Sequence, residues 1–512
     1  MNAALTQFLA SVKHRYHEAL SDYEFSYGQL LLLLASALIA KTVYDIVCNY
    51  FISPLSVIPG PRLCAISKLP LIVRRPEGRM FAWFASLVKQ YGPVVRIAPN
   101  MVLFADRDAV RQILVSDDLP KSPTISGIRV DPAFQTLFTA DDKIFHKVRR
   151  RLLSPAFTSK YISSLEPLMR SCIQVLVQKI RDTVITNGSE KPARINIYQW
   201  IQATAIDVIG ETAFGGSFNI VEKGDHPLPK KIFEELRMRV IRGAFPLLRS
   251  FLPQDAYTEK FITNLIRERI AQNEKGVRRN DILQIVIDAR DEDTGKGLTE
   301  FEMYDQVMEF VIAGSDTSSF TASMALAYLV HNPKSLQSLV AELDEAFPGV
   351  RDKADPSNLF IPNHDSLKNL KHLNAALNET MRKFPVALSG LIRLTKSDTM
   401  IGGYFIPKNT SVDAFFGHVQ NSKEYWGPDA EEWVLERWLD PDKVPRNCFY
   451  GFGAGSRICI GQHFAWTEMR LILASLLLNF DFTLIPNQNM DLVHFITPSL
   501  KTKTVDVDVR LR

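Results

Sequence analysis

A lone cysteine stands in the glycine-bearing turn FGAGSRICIG, Phe452 to Gly461, immediately before a long apolar helical pattern. Gly453 and Gly455 would let the backbone approach a flat ligand closely, and Arg457 sets a cation beside Cys459. Because helix N-terminal amides favour an anion, Cys459 is expected to be held as a thiolate. Other chemistries fit the spacing less well. In G-x-G-x-x-G the third glycine falls on Ser456, and no acidic residue follows at the distance a dinucleotide site requires. Zinc would have to use Cys448, Cys459 and His463 in a C-x10-C-x3-H pattern, with no second C-x-x-C pair. A buried structural cysteine is the remaining alternative. A thiolate with no second soft ligand suits a metal whose other ligands come from a cofactor, and that points to haem.

A second polar group interrupts an apolar stretch at AGSDTS, Ala313 to Ser318. Burying Asp316 and Thr317 there is costly without hydrogen-bonded partners. Either the hydroxyls bond back within the helix, or the pair does chemistry.

These groups need elements long enough to hold them. Thr299 and Glu302 match the S/T-x-x-E capping box, and the helical pattern they open runs to His331, before Asn332 and Pro333. At roughly 1.5 Å per residue it reaches close to 50 Å, so it must cross the core. Other helical patterns cover 144–153, 161–182, 199–213, 230–241, 256–273, 280–288, 334–346, 366–384 and 462–478. Strand-like pieces lie at GPVVRIAP, MVLFAD, 390–395, 399–406, 482–485 and 504–510. No internal repeat or low-complexity tract is evident.

The 512 residues, 46% apolar and 23% charged, have globular composition, and a formal charge of +4 gives no argument for nucleic acid as a partner. Five scattered cysteines form no disulfide framework and favour a reducing compartment. The N-x-S/T triplets at Asn187, Asn378 and Asn409 are not expected to be glycosylated. Phe25 to Ala40 carries no charge, and the apolar pattern continues past Lys41 and Asp45, an i, i+4 pair, to Phe51. It reads as a membrane anchor over 25–52. Arg62, Lys68, Arg74, Arg75 and Arg79 follow it, so a short N-terminus, 1–24, is expected in the lumen and the remainder in the cytosol. The proline-rich 53–63 reads as a stiff linker into a domain over 64–512.

Phe452, Gly455, Arg457, Cys459 and Gly461 fit F-x-x-G-x-R-x-C-x-G, extended by Ala465 and Glu468, which resembles the haem-thiolate loop of the cytochrome P-450 monooxygenases. ETMR, Glu379 to Arg382, resembles the family's E-x-x-R helix. LERW, Leu435 to Trp438, resembles its P-E-R-F/W segment with leucine in place of the usual proline. The resemblance implies a buried ion-pair triad of Glu379, Arg382 and Arg437. It also implies that AGSDTS is the oxygen-activation groove: Ala313 and Gly314 lie beside the haem, Gly314 making room, while Thr317 and Asp316 organise water and deliver protons. HKVRRRLLSPAF resembles the haem-edge helix, with His146 in place of the usual tryptophan and Arg150 four residues on. Both would face the propionates, as would Arg393 in SGLIRL. Phe452, Gly453, Gly455, Arg457 and Gly461 would complete the cradle.

The fold implied is mainly α with small β-sheets (α+β), a cytochrome P-450 fold in which one large haem-binding domain surrounds a long central helix. The cofactor implied is haem b with Cys459 as axial ligand, and the activity is oxidation of a hydrophobic small molecule with O2. Likeness to fungal microsomal members implies the endoplasmic reticulum membrane, single-pass, and secondary metabolism. The resemblance leaves no room for a flavin domain, so electrons would come from an NADPH-dependent flavoprotein reductase, with cytochrome b5 as a further donor. Lys143, Lys147, Arg149, Arg150 and Arg151 would present a basic docking patch, unless they form a solvated helix face. Substrate walls are expected at Pro123–Phe138, Ile312–Thr317, Val386–Gly390 and Ile496–Leu500. Ala244–Pro253 would dip into the membrane or pack in the core. Alternatives are a haem-thiolate isomerase or dehydratase, and a non-enzymatic membrane-tethered haem protein.

Overall fold

A computed structural model describes residues 27–512 except 75–77, 130, 132, 189–190, 225–226, 245–250, 253–255, 351–358 and 496. The expected lumenal segment 1–24, Arg75, Ile496 and most of Ala244–Pro253 lie outside the described residues.

The chain opens with α1 (Tyr27–Val47), which continues through a wider turn to Ile52. None of α1 is buried, and the 26-residue apolar run is long enough to cross a membrane, at ~1.5 Å per residue. The segment after it is not a free linker. A short 3-10 turn at Pro54–Val57 buries Leu55, Ile58 is buried as well, and a Cβ on Gly60 would sit 2.4 Å from Arg96 O. Arg96, itself buried, donates to Asn49 O at 2.8 Å and Pro99 O at 2.6 Å, tying the end of the apolar run to the first strand. Prolines and apolar side chains here dock the chain onto the domain rather than spacing it away.

Arg96 lies in β1 (Val94–Ala98), which pairs antiparallel with β2 (Met101–Phe104). Two strand-like pieces of the sequence thus meet as a hairpin turning at Pro99 and Asn100. The chain then enters α2 (Lys143–Leu153), capped by Asp142, and α3 (Ser159–Thr186). After β3 (Ala193–Asn196) come α4 (Ile197–Ile209) and α5 (Pro227–Ala244).

The central element is α6 (Glu300–His331). Its capping box forms as expected: Thr299 N donates to Glu302 Oε2 at 2.9 Å and Glu302 N to Thr299 Oγ1 at 3.2 Å. Pro333 follows the end at Asn332. Buried residues fall on all its sides, so its pattern is uniformly apolar rather than striped. It packs most extensively on α4.

The pattern over 366–384 does not form one helix. A short turn at His364–Leu367 is separated from α7 (Lys371–Lys383) by an extended Leu370. Beyond it β4 (Arg393–Leu394), a hairpin of β5 (Thr399–Ile401) and β6 (Tyr404–Ile406), and β7 (Ser411–Ala414) follow. The main sheet has the order β1-β2-β7-β4, with β7 parallel to β2. The chain closes with α8 (Gln462–Asn479), β8 (Phe480–Leu484), the hairpin β9 (Leu492–His494) and β10 (Pro498–Leu500), and β11 (Asp506–Leu511), which joins β3 to β8. The architecture is mainly helical with small sheets.

The ion-pair triad forms in the core. Glu379 and Arg382, both fully buried on α7, make two hydrogen bonds of 2.8 Å, and Arg437 Nε lies 3.6 Å from Glu379 Oε1. Arg382 also donates to the carbonyls of Gln420, Ala430 and Glu432. Such saturation is what makes a buried pair tolerable. Leu435 keeps the turn that a proline would favour, because its side chain is buried in the core.

Candidate active site

The cysteine turn is closed by its own backbone: Gly453 N donates to Tyr450 O and Cys459 N to Phe452 O, each at 2.9 Å. Gly453 and Gly455 have φ of 76° and 74°, which L side chains avoid. Their surroundings differ. A Cβ on Gly455 would lie 1.9 Å from Leu114 O, whereas one on Gly453 would meet nothing within 4 Å. Gly455 is therefore needed for packing, and Gly453 leaves open space on the cavity side.

Cys459 lies three residues before α8 and opens onto a cavity of about 410 Å³. Burial raises its thiol, opposed by the Gly461 amide and by the Arg150 guanidinium. A coordinated metal would deprotonate it outright.

Across the cavity lie Ile312, Ala313, Gly314, Thr317 and Ser318 of α6. Thr317 Oγ1 donates back to Ala313 O at 2.7 Å, leaving its lone pairs for a further donor. Gly314 makes room for a side chain: a Cβ there would be 2.6 Å from Ile209 Cδ1 of α4. Asp316 turns away from the cavity. It is buried, accepts from Thr497 at Oδ2 and from Gln202 Nε2 at 3.5 Å, and burial raises its carboxyl. Thr497 itself lines the cavity.

One edge of the cavity gathers cations. Lys121 and Arg393 are joined as an isolated antiparallel bridge, while His146 and Arg150 come from α2 and Arg457 from the cysteine turn. Arg393 donates to the carbonyls of Gly390 and Leu119 at 3.0 Å, Arg150 to Ile458 O at 2.7 Å, and Arg457 to Ala140 O at 2.6 Å. Lys121 reaches Phe138 O. Burial and mutual repulsion push Lys121 well below the usual lysine value, His146 to about 3 and Arg393 to about 10. The buried Arg457 Nη2 has no hydrogen-bond partner. Five such groups, held in place by carbonyls, fit a dianionic edge such as a pair of propionates. A thiol below an open glycine and an apolar face opposite complete the fit to haem.

Lys121 was not expected from sequence, because a single lysine before SPT carries no periodic signal. Glu309 and Asp305 were missed as well, and Thr497 was expected as part of a substrate wall but not as the partner of Asp316. The expected walls are realised in part: Ile128, Arg129 and Thr136 to Phe138 line the first, Val386 to Gly390 the third, and Thr497 the fourth. Phe81, from the segment after the linker, lines the cavity too. The expected basic patch is largely neutralised. Arg149 pairs with Glu302, Lys143 with Asp118 at 3.2 Å, and Arg151 with Asp293 at 2.8 Å, leaving Lys147 exposed. Glu468 of the extended motif is fully buried on α8 beside the Ser318 hydroxyl, and burial pushes its carboxyl up to about 8.

Comparison with known proteins agrees with this geometry. The family model for Cytochrome P450 matches residues 58–505. The chain is 34% identical over 491 residues to cytochrome P450 monooxygenase LUC2 of a Fusarium species, covering 94% of each chain. It is 34% identical over 482 residues to cytochrome P450 monooxygenase acrD of Aspergillus aculeatus, covering 92% of this chain and 93% of that one. It is 32% identical over 487 residues to cytochrome P450 monooxygenase FUS8 of Gibberella fujikuroi, covering 94% and 93%.

Proposed function

The chain belongs to the cytochrome P450 family and is a haem-dependent monooxygenase with a cysteine-ligated cofactor, and from that premise we propose that it oxidises a hydrophobic small molecule of fungal secondary metabolism while anchored by its N-terminal helix in the endoplasmic reticulum membrane. The balance is substrate-H plus O2, NADPH and a proton giving substrate-OH, water and NADP+. The carrying observation is that Cys459, Ala313, Gly314 and Thr317 line one cavity together with five cationic or imidazole side chains.

In this reading Cys459 would ligate the haem iron, and Lys121, His146, Arg150, Arg393 and Arg457 would hold the propionates. When bound, the haem would supply the redox chemistry of O2 activation. The chain's part is positioning and proton control. Asp316, its carboxyl raised by burial, accepts from the Thr497 hydroxyl at Oδ2 and would exchange a proton through that hydrogen bond. That hydroxyl and Thr317 Oγ1 are the two from this set that line the cavity, so they pass the proton inward. Apolar walls at Phe81, Leu137, Phe310 and Val386 exclude bulk water and favour a hydrophobic substrate.

Electrons would come from a membrane-bound NADPH-dependent flavoprotein reductase, with cytochrome b5 as a further donor, and the domain would face the cytosol. The test is the reduced carbonyl spectrum of the full-length protein. A red-shifted thiolate band is expected in the wild type and its loss in Cys459→Ser; a band retained by the serine variant would refute the ligand assignment.

A further inference from the structure

The cavity extends past the groove to a buried ion pair that the proposed oxidation does not use. Asp305, Glu309 and Ala313 follow one another at i, i+4 and i+8 along α6, and all three line the cavity. Asp305 therefore stands about 12 Å along the helix from Ala313, at ~1.5 Å per residue. Arg239 of α5 lines the same region and is 6% exposed, against 3% for Asp305.

Most atoms of the pair are committed. Arg239 Nε donates to Glu235 Oε1 at 3.2 Å, Glu235 Oε1 also takes Arg242, and Arg239 Nη1 lies 3.9 Å from Asp305 Oδ1. Two buried atoms have no hydrogen-bond partner: Arg239 Nη2, a donor, and Asp305 Oδ2, an acceptor. Native interiors rarely leave such atoms unpaired, and both belong to residues that face a cavity built for a ligand. A donor beside an acceptor complements a neutral amide. A carboxylate would satisfy Arg239 but set a like charge against Asp305.

We propose that the substrate carries a primary or secondary amide, its carbonyl accepting from Arg239 and its N–H donating to Asp305, with the oxidised carbon about 12 Å away over Ala313 and Thr317. This rests on the monooxygenase reading, whose failure is separable from its own.

The test uses the full-length, haem-loaded protein in detergent. Dodecanamide, N,N-dimethyldodecanamide, dodecanoic acid and dodecan-1-ol are titrated, with binding followed by the haem spin-state shift and by equilibrium dialysis. Dodecanamide should bind about tenfold more tightly than each of the others, and Arg239→Gln and Asp305→Asn should each erase that preference. Equal affinities, no binding of dodecanamide, or a preference that survives a substitution whose carbonyl spectrum is intact would overturn the proposal. The wild-type series alone decides the matter should a variant not fold. A wild type lacking the thiolate band would overturn the monooxygenase reading itself.

Discussion

Thr497, on the turn between β9 and β10, donates its hydroxyl to Oδ2 of Asp316, in the middle of α6, and of the two it is Thr497 that lines the cavity. The acid and the groove are thus joined through a residue some 180 positions away in the chain.

Thr497→Val should therefore keep haem yet lower product formed per NADPH severalfold, the difference appearing as peroxide. Asp316→Asn should lower turnover about 100-fold or more, the range of a lost positioned acid. Coupling unchanged in Thr497→Val would remove that hydroxyl from the proton route.

Glu468 makes stability depend on pH. Its folded value of about 8 lies above the ordinary 4.5, so the folded chain keeps a proton that the unfolded chain releases. The stabilisation is complete below pH 4.5 and is lost as pH rises toward 8, at about 1.4 kcal/mol per pH unit as an upper bound. Glu468→Gln should flatten the fall in melting temperature between pH 6 and 8 (, roughly that window), seen by circular dichroism at one scan rate.

Lys121 should act with opposite signs in the two forms of the protein. Without haem it is a buried amine whose charged form is disfavoured by burial and by Arg393 and Arg457, so Lys121→Met should raise the melting temperature of haem-free protein. With haem it would face a propionate, so the same change should speed haem transfer to apomyoglobin about tenfold, the worth of one charged hydrogen bond. A faster transfer with an unchanged or lower haem-free melting temperature would contradict the repulsion.

The two glycines of the cysteine turn should separate. Gly453→Ala carries the left-handed penalty of about 1–2 kcal/mol and should still bind haem. Gly455→Ala adds a contact of 1.9 Å to Leu114 O and should yield little folded protein. Equal yields and haem content would mean that the helical turn holding Leu114 yields freely.

Breaking the triad is the most damaging change expected. Arg382→Ala leaves Glu379 charged, fully buried and short of its partner, a loss of about 3–5 kcal/mol. Measured as soluble haem protein recovered, the variant should fall well below wild type.

Long periodic helices were legible in the sequence, α6 to the residue at its cap, because a capping box and a following proline mark both ends. Helices carry such local signals. β7 was not legible, since Ser411 and Asp413 interrupt its apolar run and its pairing with β2 lies three hundred residues away. The motif residues around Cys459 were legible because their spacing is short. The other half of the site was not: Lys121, Glu309 and Asp305 acquire meaning from burial and from partners on distant segments, which no spacing encodes. Gly314 shows the same limit, since its neighbour, Ile209, belongs to another helix.

A helix that spans a bilayer leans to match its thickness. On a slack tether that lean would stay in the membrane. Here Arg96 clamps Asn49 while Leu55 and Ile58 seat the following turn, so, if the proposed anchor spans a bilayer, its lean would become a rotation of the catalytic domain as a whole. Lipid thickness would then act as a dial on how the Phe81 side of the cavity meets the membrane, and so on which lipophilic molecules reach the haem.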